Sequence, residues 1–196
     1  MRLGLVSKRL FCQAVEPRFV ERLFGAGYGA TVVMFLAHNM WLFLAGLSIV
    51  SVLAARRFTY PLALFLFLLL LMPEYSALVP GFGLINYLIA LNTWRVLALT
   101  LLLTAALYLL HHPQLPKFGK LSADMLIFAF VLYVSALYSF HQSTFTGGLR
   151  QLVIETLDVL LLYFVASRSL MMKGAARHLM VTLVMGCIYL ALVSAF

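Results

Sequence analysis

Nearly all the charge in this chain sits in short clusters between long apolar runs. That arrangement limits the fold more than any motif does. A water-facing surface needs charged side chains over about a quarter of a sequence. Here charged residues make up 10% of the 196 positions, against 64% hydrophobic ones, and the mean hydropathy is +1.05. The sequence therefore predicts an all-α integral membrane protein, a polytopic transmembrane helical bundle with short loops. A span takes roughly 20 residues, which gives about six to seven membrane segments. No linker is long enough to fold separately, so any site lies between helices or at a membrane surface.

The formal net charge of +8 does not point to nucleic acid in such a chain. Lys and Arg mark cytoplasmic helix ends and meet anionic headgroups, so membrane lipids are the partners it predicts. Residues 1–23 form a basic segment with apolar residues at helical spacing, interrupted by Pro17. That spacing predicts an amphipathic helix lying in the interface, with a loose tail as the other reading. Glu16 and Glu21, with Arg18 and Arg22, stand where the apolar core of a cleavable signal belongs, which argues against one.

Residues 24–196 form the transmembrane domain, with apolar segments near 24–54, 60–72, 84–110, 125–138, 152–166 and 179–196. Runs this long in so apolar a chain predict helices throughout. The turns after the first, third and fifth segments hold Arg56, Arg57, Lys117, Lys120, Arg168, Lys173 and Arg177, whereas the opposite loops hold only Arg150. The basic side is therefore the cytoplasmic one. The basic N-terminus belongs on that side too, which requires the first segment to cross an even number of times. It is shorter than two full spans of about 20 residues. A tight hairpin turning at His38-Asn39 satisfies the rule, and an outside N-terminus breaks it.

Ionisable groups at membrane depth are costly, which makes them functional candidates. Arg95 follows Asn92-Thr93-Trp94. Its guanidinium can grip a phosphate through paired hydrogen bonds or reach the outer headgroups. Glu155 and Asp158 share one helix face and form an intramembrane acidic pair, counted from Arg150 as close to the outer surface. They suit a proton or cation site, or a structural pairing with Arg95 or Arg150. His38-Asn39 suits a turn, and the neighbouring His111-His112 cannot share a helix face, so no metal site is predicted. The glycines of FGAGYGA, residues 24–30, lack the strand-then-helix context of a dinucleotide loop and suit close helix packing. Cys12 and Cys187 fall in unlike surroundings and predict no disulfide. No cofactor is implied.

From residue 58 onward the order of features resembles the N-terminal half of bacterial O-antigen ligases and polymerases. FTYPLALFLFLLLLMPE is a short Pro-started span, and GFGLINYLIALNTWRVLALTLLL leads to a span with an early Arg. KLSADMLIFAFVLYVSALYS carries Lys and Asp into a Ser-containing span. GGLRQLVIETLDVLLLYFVASRSL then leads into RHLMVTLVMGCIYLALVSAF. The resemblance implies a bacterial inner-membrane protein of polysaccharide biosynthesis that handles undecaprenyl-diphosphate-linked glycan without metal, with Arg95 and Arg150 facing the diphosphate. That family keeps its catalytic His and Arg in and around a large periplasmic loop of the second half, which this sequence lacks. It implies a fragment or a non-catalytic relative, and the missing polar flank after Phe196 fits the former. The other reading is a non-enzymatic small subunit of a respiratory, photosynthetic or transport complex, packed against other transmembrane subunits.

Overall fold

The computed structural model describes residues 17–56, 58, 60–80, 87–113, 115–141, 145–172 and 174–194. The fold is mostly helical. Among the described residues seven helices follow in order: α1 Pro17–Leu36, α2 Met40–Ala55, α3 Pro61–Leu71, α4 Thr93–His111, α5 Ser122–His141, α6 over 145–169 and α7 Ala175–Ser194. A two-stranded antiparallel hairpin, β1 Ser76–Pro80 and β2 Tyr87–Asn92, lies between α3 and α4.

The first apolar run does turn at His38-Asn39. Asn39 caps α2 by accepting a hydrogen bond from the Trp41 N–H at 3.1 Å, which satisfies one of the orphan donors of a helix start. Glycines let α1 and α2 approach closely. A Cβ on Gly46 would stand 2.5 Å from Val33, and one on Gly29 would meet Val50 at 3.6 Å. Residues 1–16 of the expected interfacial segment lie outside the described residues, as do Arg57 and Lys173 of the basic turns. The last part of that segment, 17–23, belongs to α1, whose described residues begin at Pro17.

α3 is the centre. It is apolar all round, as a helix enclosed on every side must be, and Leu64, Phe65 and Leu68 are inaccessible. Phe67 lies against Gly27 of α1, and Leu70 lies against Gly186 of α7. At about 1.5 Å per residue, its 11 residues cover about half the hydrocarbon thickness.

The segment expected as one helix over 84–110 is the main correction. Its residues 87–92 form β2, paired with β1 in the register Ser76↔Asn92, Ala77↔Leu91 and Leu78↔Ala90. The rule that favours helices requires each backbone group to find a partner, and a hairpin packed on protein also meets that need. Helix starts only at Thr93, where Asn92 Oδ1 accepts from the Arg95 N–H at 2.9 Å. Thr93 Oγ1 locks the junction, accepting from the Tyr75 N–H and donating to the Pro73 carbonyl. The later helices outrun their expected bounds: 125–138 lengthens to Ser122–His141, 152–166 to 145–169, and the last begins at Ala175.

Among the described residues, three helices are long and apolar enough to cross a membrane: Arg18–Leu36, Thr93–His111 and Ser122–Phe140. α5 hides least, turning Leu126, Tyr133 and Phe140 outward.

Close approach at glycine makes a sharp prediction. Gly46→Leu forces α1 and α2 apart and costs about 1–3 kcal/mol, read as a lower melting temperature of detergent-purified protein. Gly25 has open space around its Cα, so Gly25→Ala leaves that temperature unchanged or slightly raised.

Candidate functional site

Two charged clusters interrupt the apolar interior, and α6 supplies a member of each. The first begins with α4. Arg95 stands in its first turn, directly after the Asn92 cap. Asp158 stands about midway along α6. Arg95 Nη2 lies 3.0 Å from Asp158 Oδ2, and Arg95 Nε donates to both carboxylate oxygens at 3.3 and 3.4 Å. Arg95 Nη1 donates to the Ala90 carbonyl of β2. Trp94 Nε1 donates to Asp158 Oδ1 at 3.1 Å, with its ring edge-on to Phe65.

Both partners sit beside irregular backbone. α4 widens into a π-turn over Ala98–Leu102, and α6 widens over Thr156–Leu161, which includes Asp158. The two wide turns touch. Such turns are uncommon and concentrate at functional sites. A cleft of about 440 Å³ opens beside the pair, lined by Leu69, Met72, Glu74, Asn92, Thr93, Trp94 and Asp158. Asp158 lines the cleft and Arg95 does not; their side chains keep 26% and 14% of their exposure. Asn92 Nδ2 donates to Glu74 Oε1 at 3.5 Å.

Asp158 thus meets Arg95, one of the two partners the sequence offers for it. Glu155 does not join them. It accepts from Gln151 Nε2 at 2.7 Å on its own helix and does not line the cleft. Glu155 and Asp158 both lie well inside α6, whose described residues begin at Phe145. Arg150 is half-buried on α6, about two turns before Asp158, and does not line the cleft.

The second cluster is closed. Arg168 and Asp124 are inaccessible and meet at 2.6 Å. Arg168 Nη1 and Nη2 grip the two carboxylate oxygens side by side, and Tyr163 Oη donates to Oδ1 at 3.0 Å. The N–H groups of Gly119 and Leu121 donate to Oδ2. Arg168 also reaches the Pro116 and Lys117 carbonyls at 3.4 Å each and lies 4.8 Å over the Phe164 ring. Arg168, expected in a loop, is in the last turn of α6. Sequence reasoning passes over Asp124 and Tyr163 as site residues. The available signal is an acid in the first turn of a span, Ser122-Ala123-Asp124. Both oxygens of this carboxylate are engaged and no ligand can enter, so the cluster clamps residues 116–121 to the bundle.

Among the described residues, no three His, Cys, Asp or Glu side chains stand together as a metal set. No family model matches the sequence, and no curated protein and no solved structure matches the chain. What fold and site define among the described residues is a mostly helical protein, three of whose helices suit a membrane, with an accessible polar cleft and a sealed ion pair.

The two pairs predict different mutational costs. Arg168→Met strands a buried carboxylate and costs about 3–5 kcal/mol, seen as loss of monodisperse protein in detergent. Asp158→Asn removes one charge from a partly accessible pair and costs about 1–3 kcal/mol. Glu155→Gln keeps its amide partner and changes the melting temperature least of the three.

Proposed function

We propose that the chain is a multi-pass protein of the bacterial inner membrane that handles a polyprenyl-diphosphate-linked glycan, in the manner of the N-terminal part of O-antigen ligases and polymerases. On this reading all seven helices act as membrane segments, with α3 and the hairpin sharing one crossing. Successive helices then alternate in direction. Arg18, Arg22, Arg56, Lys117, Lys120 and Arg177 fall at one end, which positive charge makes cytoplasmic. The Arg95–Asp158 cleft and the hairpin fall at the other.

The observation that carries the reading is the cleft itself. A guanidinium has five N–H groups. Arg95 spends its Nε–H, one on Nη1 and one on Nη2, and the others remain for a phosphate oxygen. Glu74, Asn92 and Asp158 add acceptors and an amide of the kind that hydrogen-bonds sugar hydroxyls. Because Asp158 balances the charge, Arg95 serves as an oriented donor rather than a net cation. Arg150 stands about two turns before Asp158 on α6, outside the cleft, and on this reading meets the diphosphate nearer the outer surface.

Two measurements test this. A reporter fused after Gly119 should read cytoplasmic and one inserted after Asn39 periplasmic; the reverse pattern sinks the topology. In cells carrying only the altered chain, Arg95→Ala should cut glycan transfer by about tenfold or more at unchanged protein level, and Arg95→Lys should not restore it, because lysine lacks the planar fork. Full transfer by Arg95→Ala removes the cleft from the reaction.

A second reading, a non-enzymatic subunit of a larger membrane complex, is favoured by one observation: the outward apolar face of α5, with Met125, Leu126, Tyr133 and Phe140, is a surface on which partner helices could pack. Gentle extraction followed by mass analysis separates the two, since a stoichiometric large complex supports the subunit and a free chain counts against it.

A further inference from the structure

At the basic end, α2, α3, α4 and the turn after α6 enclose a crevice of about 530 Å³, separate from the Arg95 cleft. It lies within the roughly 300–1,000 Å³ of small-molecule sites. Val52, Ala55, Phe58, Pro61, Ala105 and Met172 form its walls. Its two threonine hydroxyls are already satisfied within α4. Thr100 Oγ1 donates to the Val96 carbonyl at 2.8 Å, and Thr104 Oγ1 donates to the Thr100 carbonyl at 2.8 Å. The threonines therefore add little polarity to the space. Arg56 and Tyr108 also line it, and both are exposed.

An apolar slot with a cation and a phenol at its edge fits one kind of occupant. We propose that it holds a single anionic phospholipid, with one acyl chain between α2 and α4 and the headgroup phosphate on Arg56 and Tyr108 Oη. Charge selects this occupant. Arg56 belongs to the end that also carries Arg18, Arg22, Lys117 and Lys120, where anionic headgroups are drawn in. A zwitterionic lipid gains nothing from that field. Apolar walls exclude a free phosphate or nucleotide, whose affinity would rest on Arg56 alone. The site rests on the membrane topology proposed above but not on the glycan.

Native mass spectrometry of the full chain, released from detergent micelles doped with either phosphatidylglycerol or phosphatidylcholine, tests the assignment. One phosphatidylglycerol should stay bound at collision energies that strip phosphatidylcholine. Arg56→Gln should lower its retention about fivefold, the size expected for one basic residue against an anionic headgroup. Thr104→Phe, at an exposed position on the crevice wall, should block the slot and abolish retention with the charge intact. Lys120→Gln, at the same end but outside the crevice, should leave retention unchanged. Equal retention of the two lipids overturns the proposal. So does full retention in Thr104→Phe, or an Arg56→Gln loss matched by Lys120→Gln, which would mean a diffuse charge effect. Should undecaprenyl phosphate displace phosphatidylglycerol at equal concentration, the slot belongs to the carrier lipid and the phospholipid assignment falls. If Arg56→Gln fails to yield folded protein, the Thr104→Phe and Lys120→Gln arms decide.

Discussion

A charge inside an apolar bundle has to be neutralised where it stands, and α6 does this twice. Asp158 answers Arg95 of α4, and Arg168 answers Asp124 of α5. Desolvating either charge alone would cost several kcal/mol, so each pair ties its helices together more strictly than interchangeable apolar contacts can. Leucine on leucine tolerates sliding, whereas a bidentate guanidinium on a carboxylate admits one register. The position of α6 against α4 and α5 follows from these two constraints, and the glycine contacts seat α1 and α7 on α3 and α2 on α1.

The pairs differ in accessibility. Asp124 is saturated by Arg168, Tyr163 and two backbone N–H groups. It is a fastener. Asp158 keeps fewer partners, borders a cleft and lies in a widened turn. Groups held in irregular backbone at the edge of a cavity are those a ligand can address.

Hydrophobicity and turn chemistry made the class, the His38-Asn39 turn and most helices legible in the sequence. The hairpin was not, because YLIALN is as apolar as a span, and periodicity cannot separate a buried strand from a helix. Asn92 marks the true helix start, but as one residue among several polar ones it shows its capping role only once the Arg95 N–H is placed. Within the site, Arg95 and Asp158 stood out as rare charges in apolar runs. Their meeting did not: they are 63 positions apart, and nothing in one sequence encodes which of two arginines reaches which of two acids. Arg168 was hidden in a different way. A basic residue near a helix end looks like an ordinary interfacial anchor, and only burial reveals its partner.

The widened turns in α4 and α6 also set the angular phase of these helices. A π-turn places one more residue in a turn than an α-helix does, and each α-helical residue advances the face by about 100°. Asp158 and Arg168 lie on either side of the end of the π-turn in α6. The extra residue therefore determines which direction Arg168 points when Asp158 points at Arg95. Remove it, and a regular helix would swing one of these side chains about a quarter turn from its partner. In this sense the irregular backbone acts as a spacer, allowing one rod to engage different neighbours at its two heights.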